Sequence, residues 1–600
     1  MDTREFMIPP RELDFQLYEV LNSEALNQRP RFAEHNRETF DSALQTANAI
    51  ARDYFAPHNG AADYDEPRFD GQRVHLHKDV KPAFDALAGA GFIAAREDYA
   101  LGGMQLPESI SSACMALFTA ANPSTAGYPF LTGAAVKVLM NFANAALQAQ
   151  FVEPMLSGRF AGTMALTEPQ AGSSLADIKT RATPHSDGTY RIKGNKIFIS
   201  GGDQSITENI VHLVLAKIDG APAGVKGISL FAVPKFLLNA QGQLAQRNDV
   251  ALAGLFHKLG YRGTTSTALS FGEQDNCVGY LIGEPHQGLK YMFQMMNEAR
   301  LAVGFGAAVI GYRGYQHSLA YAKERPQGRL PSNNNPASAP INIIEHTDVK
   351  RMLLAQKAYS EGALALCLYG ARLVDDVHSA EGDVQTEAAL LLDLLTPLLK
   401  AWPSEYGVKA NDLAIQVLGG AGYTREYPVE QCWRDNRLNP IHEGTNGIQA
   451  LDLLGRKLWQ ANGKGMQLLH QRIMQDINTS HPKNAELSAA LHTLLNQLVP
   501  LIGHMAGQMQ KGDADFTLGL ATPLLHIMGH TCVAWMWLRA ANIAQQALAK
   551  NPHATDVNFY QGKIQAAQYF YRWELPLLQR DFSLLNNMDT TCHNMQTSWF

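Results

Sequence analysis

The chain has 600 residues, 46% of them apolar and 18% charged, with a formal net charge of −6. This length predicts about four domains with several buried cores, and the composition is that of a globular protein rather than a disordered one. The acidic balance, without any basic run, excludes the usual electrostatic footprint of a nucleic-acid partner. Six cysteines (Cys114, Cys277, Cys367, Cys432, Cys532 and Cys592) are scattered with no C-x-x-C pair, the pattern of free thiols in a reducing compartment. The first 21 residues alternate charge with short apolar groups and have no signal-peptide h-region. No uninterrupted apolar stretch is long enough to span a bilayer; the nearest, Leu524 to Leu538, is broken by His526, Gly529, His530 and Thr531. The expectation is a cytoplasmic protein with no stable membrane insertion.

Residues 1–35 form an N-terminal extension, with Pro9 and Pro10 and a short amphipathic piece around Leu13 to Leu21. From Asn36 to Phe55, Phe40, Ala43, Leu44, Ala47 and Ile50 fall at helical spacing. Further helices are predicted over 83–95, 109–121 and 133–144, making 36–161 an N-terminal α-helical domain. Near Gly162 the texture changes to short β-rich runs separated by Gly, Asp and Pro, including 210–217, 228–233 and 267–271. These predict a compact antiparallel β-domain over 162–283. Helical periodicity returns over 291–323, 347–377, 384–402 and 408–418, interrupted by a Pro/Asn/Ser-rich loop from Pro326 to Pro340. Residues 284–460 therefore read as a C-terminal helical-bundle domain, and 461–600 as an additional α-helical domain. Helices flanking a β-domain do not follow the alternating order of a dinucleotide-binding fold, and Gly304-Phe305-Gly306 is read as small-residue helix packing.

One loop draws the chemistry together, Asn439-Pro440-Ile441-His442-Glu443-Gly444-Thr445-Asn446-Gly447. Thr445 and Asn446 are good N-cap residues ahead of an apolar-periodic run, which places Glu443 in the loop just before a helix. A carboxylate there, among few other charges, suits a general base whose pKa desolvation raises. Alternatively, it favours the positive end of the helix dipole. His526 and His530 have i, i+4 spacing but no third ligand is evident, so no metal site is expected.

Three stretches, in this order, resemble the acyl-CoA dehydrogenase family: Met164-Ala165-Leu166-Thr167-Glu168-Pro169-Gln170-Ala171-Gly172-Ser173-Ser174; Lys196-Ile197-Phe198-Ile199-Ser200-Gly201-Gly202; and Gln416-Val417-Leu418-Gly419-Gly420-Ala421-Gly422-Tyr423, joined to Tyr427-Pro428-Val429-Glu430, Arg434-Asp435 and the Glu443 loop. The length beyond residue 460 is similar to a large bacterial subclass with extra C-terminal helices. The resemblance implies a mainly α fold with a central β-barrel domain, a helical N-terminal domain, a C-terminal helical bundle and the additional helical domain. It also implies FAD-dependent α,β-dehydrogenation of an acyl-CoA thioester to the trans-2-enoyl-CoA, with electrons passed to an electron-transfer flavoprotein. The acyl group would be short or thioether-containing, as in 3-(methylthio)propanoyl-CoA, or fatty. An acyl-CoA oxidase using O2 and a non-catalytic assembly protein are the rival readings, and a homodimer is the expected assembly.

By the same resemblance Glu443 takes the α-proton, and its backbone N–H bonds the thioester oxygen. FAD would meet Met164, Leu166, Thr167, Ser173, Phe198, Ile199, Ser200, Thr445 and Gly447. Arg325, Gln327, Gln416, Gly419 and Gly420 would reach the FAD of a neighbouring subunit. Ser173, Asn297, Arg300 and Gly444 would contact the acyl-CoA, with asparagine at 297 where the family usually has aspartate. Pro326 and Gly328-Arg329 depart from the family's usual R.QFG segment, and His442 stands where tyrosine is common. Glu361 is the alternative position for a base.

Overall fold

The computed structural model describes residues 7–333, 335–512 and 514–600, apart from the side chains of Gln294, Met295 and Asn297. The chain divides into two compact units, residues 35–299 and residues 7–34 with 300–600. The division falls inside a helix, whose first turns bury Tyr291, Met292 and Ala299 in the first unit's core.

In the first unit the long helices are α1 (Arg37–Ile50), α2 (Val80–Gly89), α3 (Glu108–Ala121), α4 (Pro123–Phe142) and α5 (Ala145–Leu156). α1 opens on a capping box between Asn36 and Thr39 and buries Phe40, Leu44 and Ala47 on one face. α4 starts well before the predicted 133. Asn122 accepts from Thr125 N–H at 3.0 Å and Pro123 occupies the first helical position, two start signals that outweigh the weaker periodicity there.

The main sheet is built from β1 (Phe160–Ala165), β2 (Arg181–Pro184), β3 (Tyr190–Ser200), β4 (Asn209–Ile218), β5 (Ile228–Pro234), β6 (Val250–Leu255), β7 (Ser266–Phe271) and β8 (Val278–Ile282). They run in the order β6-β7-β3-β8-β5-β4-β1, and β2 bridges β3 to β4, closing β3-β8-β5-β4-β2 into a ring. The expected wholly antiparallel arrangement needs correction: β1 and β2 both pair parallel with β4. The chain from Leu166 to Glu208 is long enough for the crossover that a parallel pair requires. β4 shows the period of two expected of a strand buried on both faces. Val211, Leu213 and Leu215 join a core shared with α4 and α5, while Val214 and Ala216 point into the ring with Ile192, Phe231 and Phe271.

The second unit contains α6 (Gly288–Glu324) from Arg300 onward, α7 (Thr347–Ser379), α8 (Gly382–Leu418), α9 (Val429–Asn436) and α10 (Asn446–Gly455). It continues through α11 (Lys464–Asn478), α12 (Ala485–Gln510), α13 (Ala521–Leu548), α14 (Ala554–Tyr569) and α15 (Leu578–Asn586). α8 is one helix, not the predicted two, and it runs through Pro397 and Pro403. Proline at 403 frees the carbonyl of Leu399, and tertiary contacts use it: Cys367 Sγ donates to it at 3.8 Å. A Cβ at Gly304 would lie 2.0 Å from the same oxygen. Gly304 therefore lets α6 approach α8 closely, consistent with its reading as a packing glycine.

Residues 7–34 belong to the second unit through a buried ionic centre. Lys563 on α14 bonds both Glu12 and Glu361, the latter at 2.8 Å, and Lys357 reaches Glu361 Oε1 at 2.5 Å. Glu361 is thus committed to two ammonium groups, which leaves no lone pair arranged for a substrate proton. Among the described residues no helix is long and apolar enough to cross a membrane.

Candidate active site

The Glu443 loop is closed by its own backbone. The N–H groups of Ile441 and His442 donate to Leu438 O at 2.9 and 3.2 Å, and Asn446 N–H donates to Pro440 O at 3.0 Å. Thr445 caps α10, its hydroxyl accepting from Ile448 N–H at 3.3 Å. These closures force Glu443 to φ +55° and Gly444 to φ +87°. A left-handed backbone costs a non-glycine residue about 1–3 kcal/mol and persists only where the surroundings impose it. At 444 a Cβ would also come 2.7 Å from Gln449 Nε2. Gln449, fully buried on α10, donates to the carbonyls of Glu443 and Gly444 at 3.2 and 3.3 Å.

The backbone of Glu443 is held while its functional atoms are not. Arg300 Nε donates to the Glu443 carbonyl at 3.4 Å, and Arg300 Nη1 lies 3.4 Å from Asp452 Oδ2. Among the described residues, neither the Glu443 carboxylate nor its N–H has a protein partner. Desolvation raises the carboxyl pKa above its ordinary value, against the opposing pull of Arg300 and Lys400. Arg300, expected at the CoA, is only 3% exposed, and its guanidinium is engaged in holding the base loop. Asn297 lies outside the described side chains.

Lys400 was not legible as a site residue. It lies on α8 with no exposure, and its Nζ donates to Asn446 Oδ1 at 3.1 Å. Its only signal is a lone cation in the apolar run Leu398-Leu399-Lys400-Ala401-Trp402. His442 Nε2 lies 3.0 Å from Asn439 Oδ1, and buried amides continue the chain through Asn436 to Asn411 on α8. Burial and the nearby Lys400 push the His442 pKa down to about 3, so it is a neutral, packed histidine at neutral pH.

In the first unit the Thr167 and Phe198 stretches are fastened by one buried pair. Lys196 Nζ donates to Glu168 Oε1 at 2.8 Å and to Leu166 O at 3.0 Å, and Ile197 N–H donates to Thr167 O at 2.9 Å. Glu168 also accepts from the N–H groups of Lys179 and Thr180, from Thr180 Oγ1 and from Gln170 Nε2. Burial alone would raise its pKa, but Lys196 and these donors bring it down to about 2. Burial drives Lys196 to about 8 despite Glu168. The carboxylate has four other donors and the ammonium only one other acceptor, so the charged pair favours Glu168 more than Lys196.

This fastening sets out a row of available side chains. Phe198 sits at φ +59° with 58% exposure, its ring 4.5 Å from that of Phe256. Ser173 and Ser200 are exposed and Leu166 and Thr167 partly so. Met164 and Ile199 point into the core, at 8% and 2% exposure. The Ile199 carbonyl already accepts from Thr267 Oγ1 at 2.9 Å.

Lys196→Met is expected to leave Glu168 buried without its cation, costing about 3–5 kcal/mol. In the wild type, Glu168's folded pKa lies below its unfolded one. Its stabilisation is therefore full above pH 4.5 and lost as pH falls towards 2. Melting curves across that window should show a smaller acid-side loss in the variant than in the wild type.

A second row lies at one end of the helices in the second unit. Arg325, Gln327, Gln416, Gly419 and Gly420 are all exposed. The segment after α6 is tied to residues 341–343 by Gln327 N–H to Ile341 O at 2.8 Å and Ile343 N–H to Arg325 O at 2.8 Å. Arg329 is occupied within its own loop, Nε donating to Ser338 O and Oγ at 2.9 Å each. Gly447 is exposed in the first turn of α10. His526, in contrast, is held between Glu405 and Asp581 at 3.0 and 3.6 Å, which raise its pKa to about 9. His530 Nδ1 bonds the His526 carbonyl at 2.8 Å.

Residues 163–273 match the acyl-CoA dehydrogenase middle domain, 286–458 the acyl-CoA dehydrogenase C-terminal domain, and 469–596 the acetyl-CoA dehydrogenase C-terminal-like family. The 3-methylmercaptopropionyl-CoA dehydrogenase of Ruegeria pomeroyi is 34% identical over 94% of this chain and 95% of its own. The chain belongs to the acyl-CoA dehydrogenase family. The fold is also that of Caenorhabditis elegans ACDH-11 in complex with C11-CoA (TM-score 0.78, 20% identity, covering 96% of this chain and 91% of that one). It likewise matches a Bacillus anthracis acyl-CoA dehydrogenase complexed with FAD (TM-score 0.72, 20% identity, 94% and 89%).

Members of the acyl-CoA dehydrogenase family bind FAD, and the first unit's residues suit that group. Phe198 has its aromatic face turned out at a backbone angle that a packed core residue has no reason to adopt. The hydroxyls of Thr167, Ser173 and Ser200 remain at least partly accessible.

Proposed function

We propose that this acyl-CoA dehydrogenase converts an acyl-CoA thioester to its trans-2-enoyl-CoA, with Glu443 as the base. The observation that carries this reading is a carboxylate whose backbone is pinned by Arg300 and Gln449 while its oxygens stay uncommitted and desolvated. Glu443 Oε accepts the α-proton, and the loop holds that oxygen without a competing bond. The free Glu443 N–H is a donor for the thioester oxygen as negative charge develops there. Thr167, Ser173, Phe198, Ser200, Thr445 and Gly447 would hold FAD, with Arg325, Gln327, Gln416, Gly419 and Gly420 on the FAD of a second copy. Bound FAD supplies the acceptor for the β-hydride, a capacity no side chain has. The electrons then pass to an electron-transfer flavoprotein, and the working assembly is a homodimer. The Ruegeria relative favours a short, thioether-containing acyl group such as 3-(methylthio)propanoyl.

The test is anaerobic titration of the FAD-loaded protein with thioesters of graded length and with 3-(methylthio)propanoyl-CoA, following flavin absorbance. Bleaching by the thioether or a short-chain thioester supports the proposal, and bleaching only by long chains reassigns the substrate. Rapid recovery of colour in air would identify an oxidase. No bleaching by any thioester would overturn the enzymatic reading in favour of a non-catalytic assembly role.

A further inference from the structure

Lys400 is a buried cation of the second unit with no carboxylate bonded to it among the described residues. It has no exposure, no carboxylate within ion-pair distance among the described residues, and one hydrogen bond, to Asn446 Oδ1 at 3.1 Å. The contrast with the unit's other fully buried lysine is direct. Lys563 is enclosed by Glu12 and Glu361. An ammonium without a counter-ion in an apolar helix stretch is unfavourable, and leucine or methionine would pack there at less cost. Such a residue is retained for something other than folding.

The charged and titratable groups around it are few. They are Glu443 and His442 on the base loop and Arg300 on α6. Arg300 already shares its charge with Asp452, whereas Lys400 does not share its own. Asn446 also donates from Nδ2 to Ala401 O at 3.3 Å, so the start of α10 is tied to α8 on both sides of the ammonium.

We infer that Lys400 is a positioning residue for the proton-transfer step: its ammonium, fixed through Asn446 three residues beyond the base, keeps the desolvated Glu443 ionised and ready to accept the α-proton. This rests on Glu443 being the base. The two groups assist each other over one pH range. Burial brings Lys400 to about 7, so it is charged below neutral pH, the side on which desolvation favours the protonated Glu443 carboxyl.

The test is the pH profile of thioester-driven flavin reduction, measured anaerobically in the FAD-loaded wild type, Lys400→Met and Lys400→Arg. In Lys400→Met the acid limb is expected to move up by about one pH unit, a roughly tenfold loss below the limb with little change at pH 8.5. Lys400→Arg should keep the wild-type limb. A second readout needs no turnover. Lys400 has a folded pKa below its unfolded one, so the wild type should gain thermal stability as pH rises from 7 to 10, and Lys400→Met should lack that rise. If Lys400→Met is reduced with an unmoved acid limb, the inference is wrong while the dehydrogenase reading stands. If the wild type itself is reduced by no thioester, both are wrong.

Discussion

Glu443→Gln is expected to retain FAD and to lose thioester-driven bleaching, with the reduction rate falling about 10³-fold, roughly 4 kcal/mol of barrier. Glutamine keeps the side-chain length and the carbonyl contacts of Arg300 and Gln449, which are made to the backbone. It replaces the carboxylate that accepts the proton with a neutral amide, a far weaker base. Stability provides the control. Glu443's folded pKa lies above its unfolded one, so the protonated form is favoured on folding, and the carboxylate becomes a cost as pH rises through the folded value. At pH 8 the variant should therefore melt at or above the wild type. A variant that loses both flavin and stability would mean that the side chain has a structural role absent from this account. Stopped-flow absorbance and a thermal melt on the same preparation separate these outcomes.

Lys563→Met is expected to cost about 3–5 kcal/mol of stability, because it leaves Glu12 and Glu361 buried without their shared cation. Gln16 would still donate to Glu12 at 2.9 Å and Lys357 to Glu361 at 2.5 Å, so the remaining imbalance centres on Glu12. That residue lies in the segment 7–34, which should open first. Limited proteolysis at pH 8 should cut this segment in the variant and spare it in the wild type. Adding Glu12→Gln should restore part of the protection at pH 8, since it removes the unpaired charge. Equal protease resistance in variant and wild type would contradict the assignment of this cluster as the fastening of residues 7–34.

Both predictions depend on distinctions that periodicity does not carry. Glu361 and Glu443 are each one glutamate in a helical region of the sequence. Enclosure by Lys357 and Lys563 makes the first a structural ion, and the absence of such partners makes the second available. Arg300 resembled a CoA contact through the family motif at 297 and 300, and only the arrangement of α6 beside the base loop brings its guanidinium to a backbone carbonyl there. Lys400 carried no motif at all, and an apolar run with one lysine in it reads equally well as a helix with one solvated position. The predicted gap between 402 and 408 in α8 contains Pro403, and periodicity does not register that Cys367 takes up the freed carbonyl and Gly304 packs against it.

By itself, the sequence determined what depends on neighbours along the chain. That includes the helices flanking a β-domain, the N-cap that places Glu443 just before α10, and the three motifs whose order and spacing identify the family. These follow from short-range rules, because a cap, a strand period or a tight glycine turn is decided within a few residues. Tertiary structure alone decided which charges meet. It closed the strands into a ring with parallel crossovers, paired Lys196 with Glu168 and Lys563 with Glu12 and Glu361, and left Glu443 and Lys400 without such partners. Coulomb energy and desolvation depend on distance through space and on what excludes water, and neither is fixed by separation along the chain.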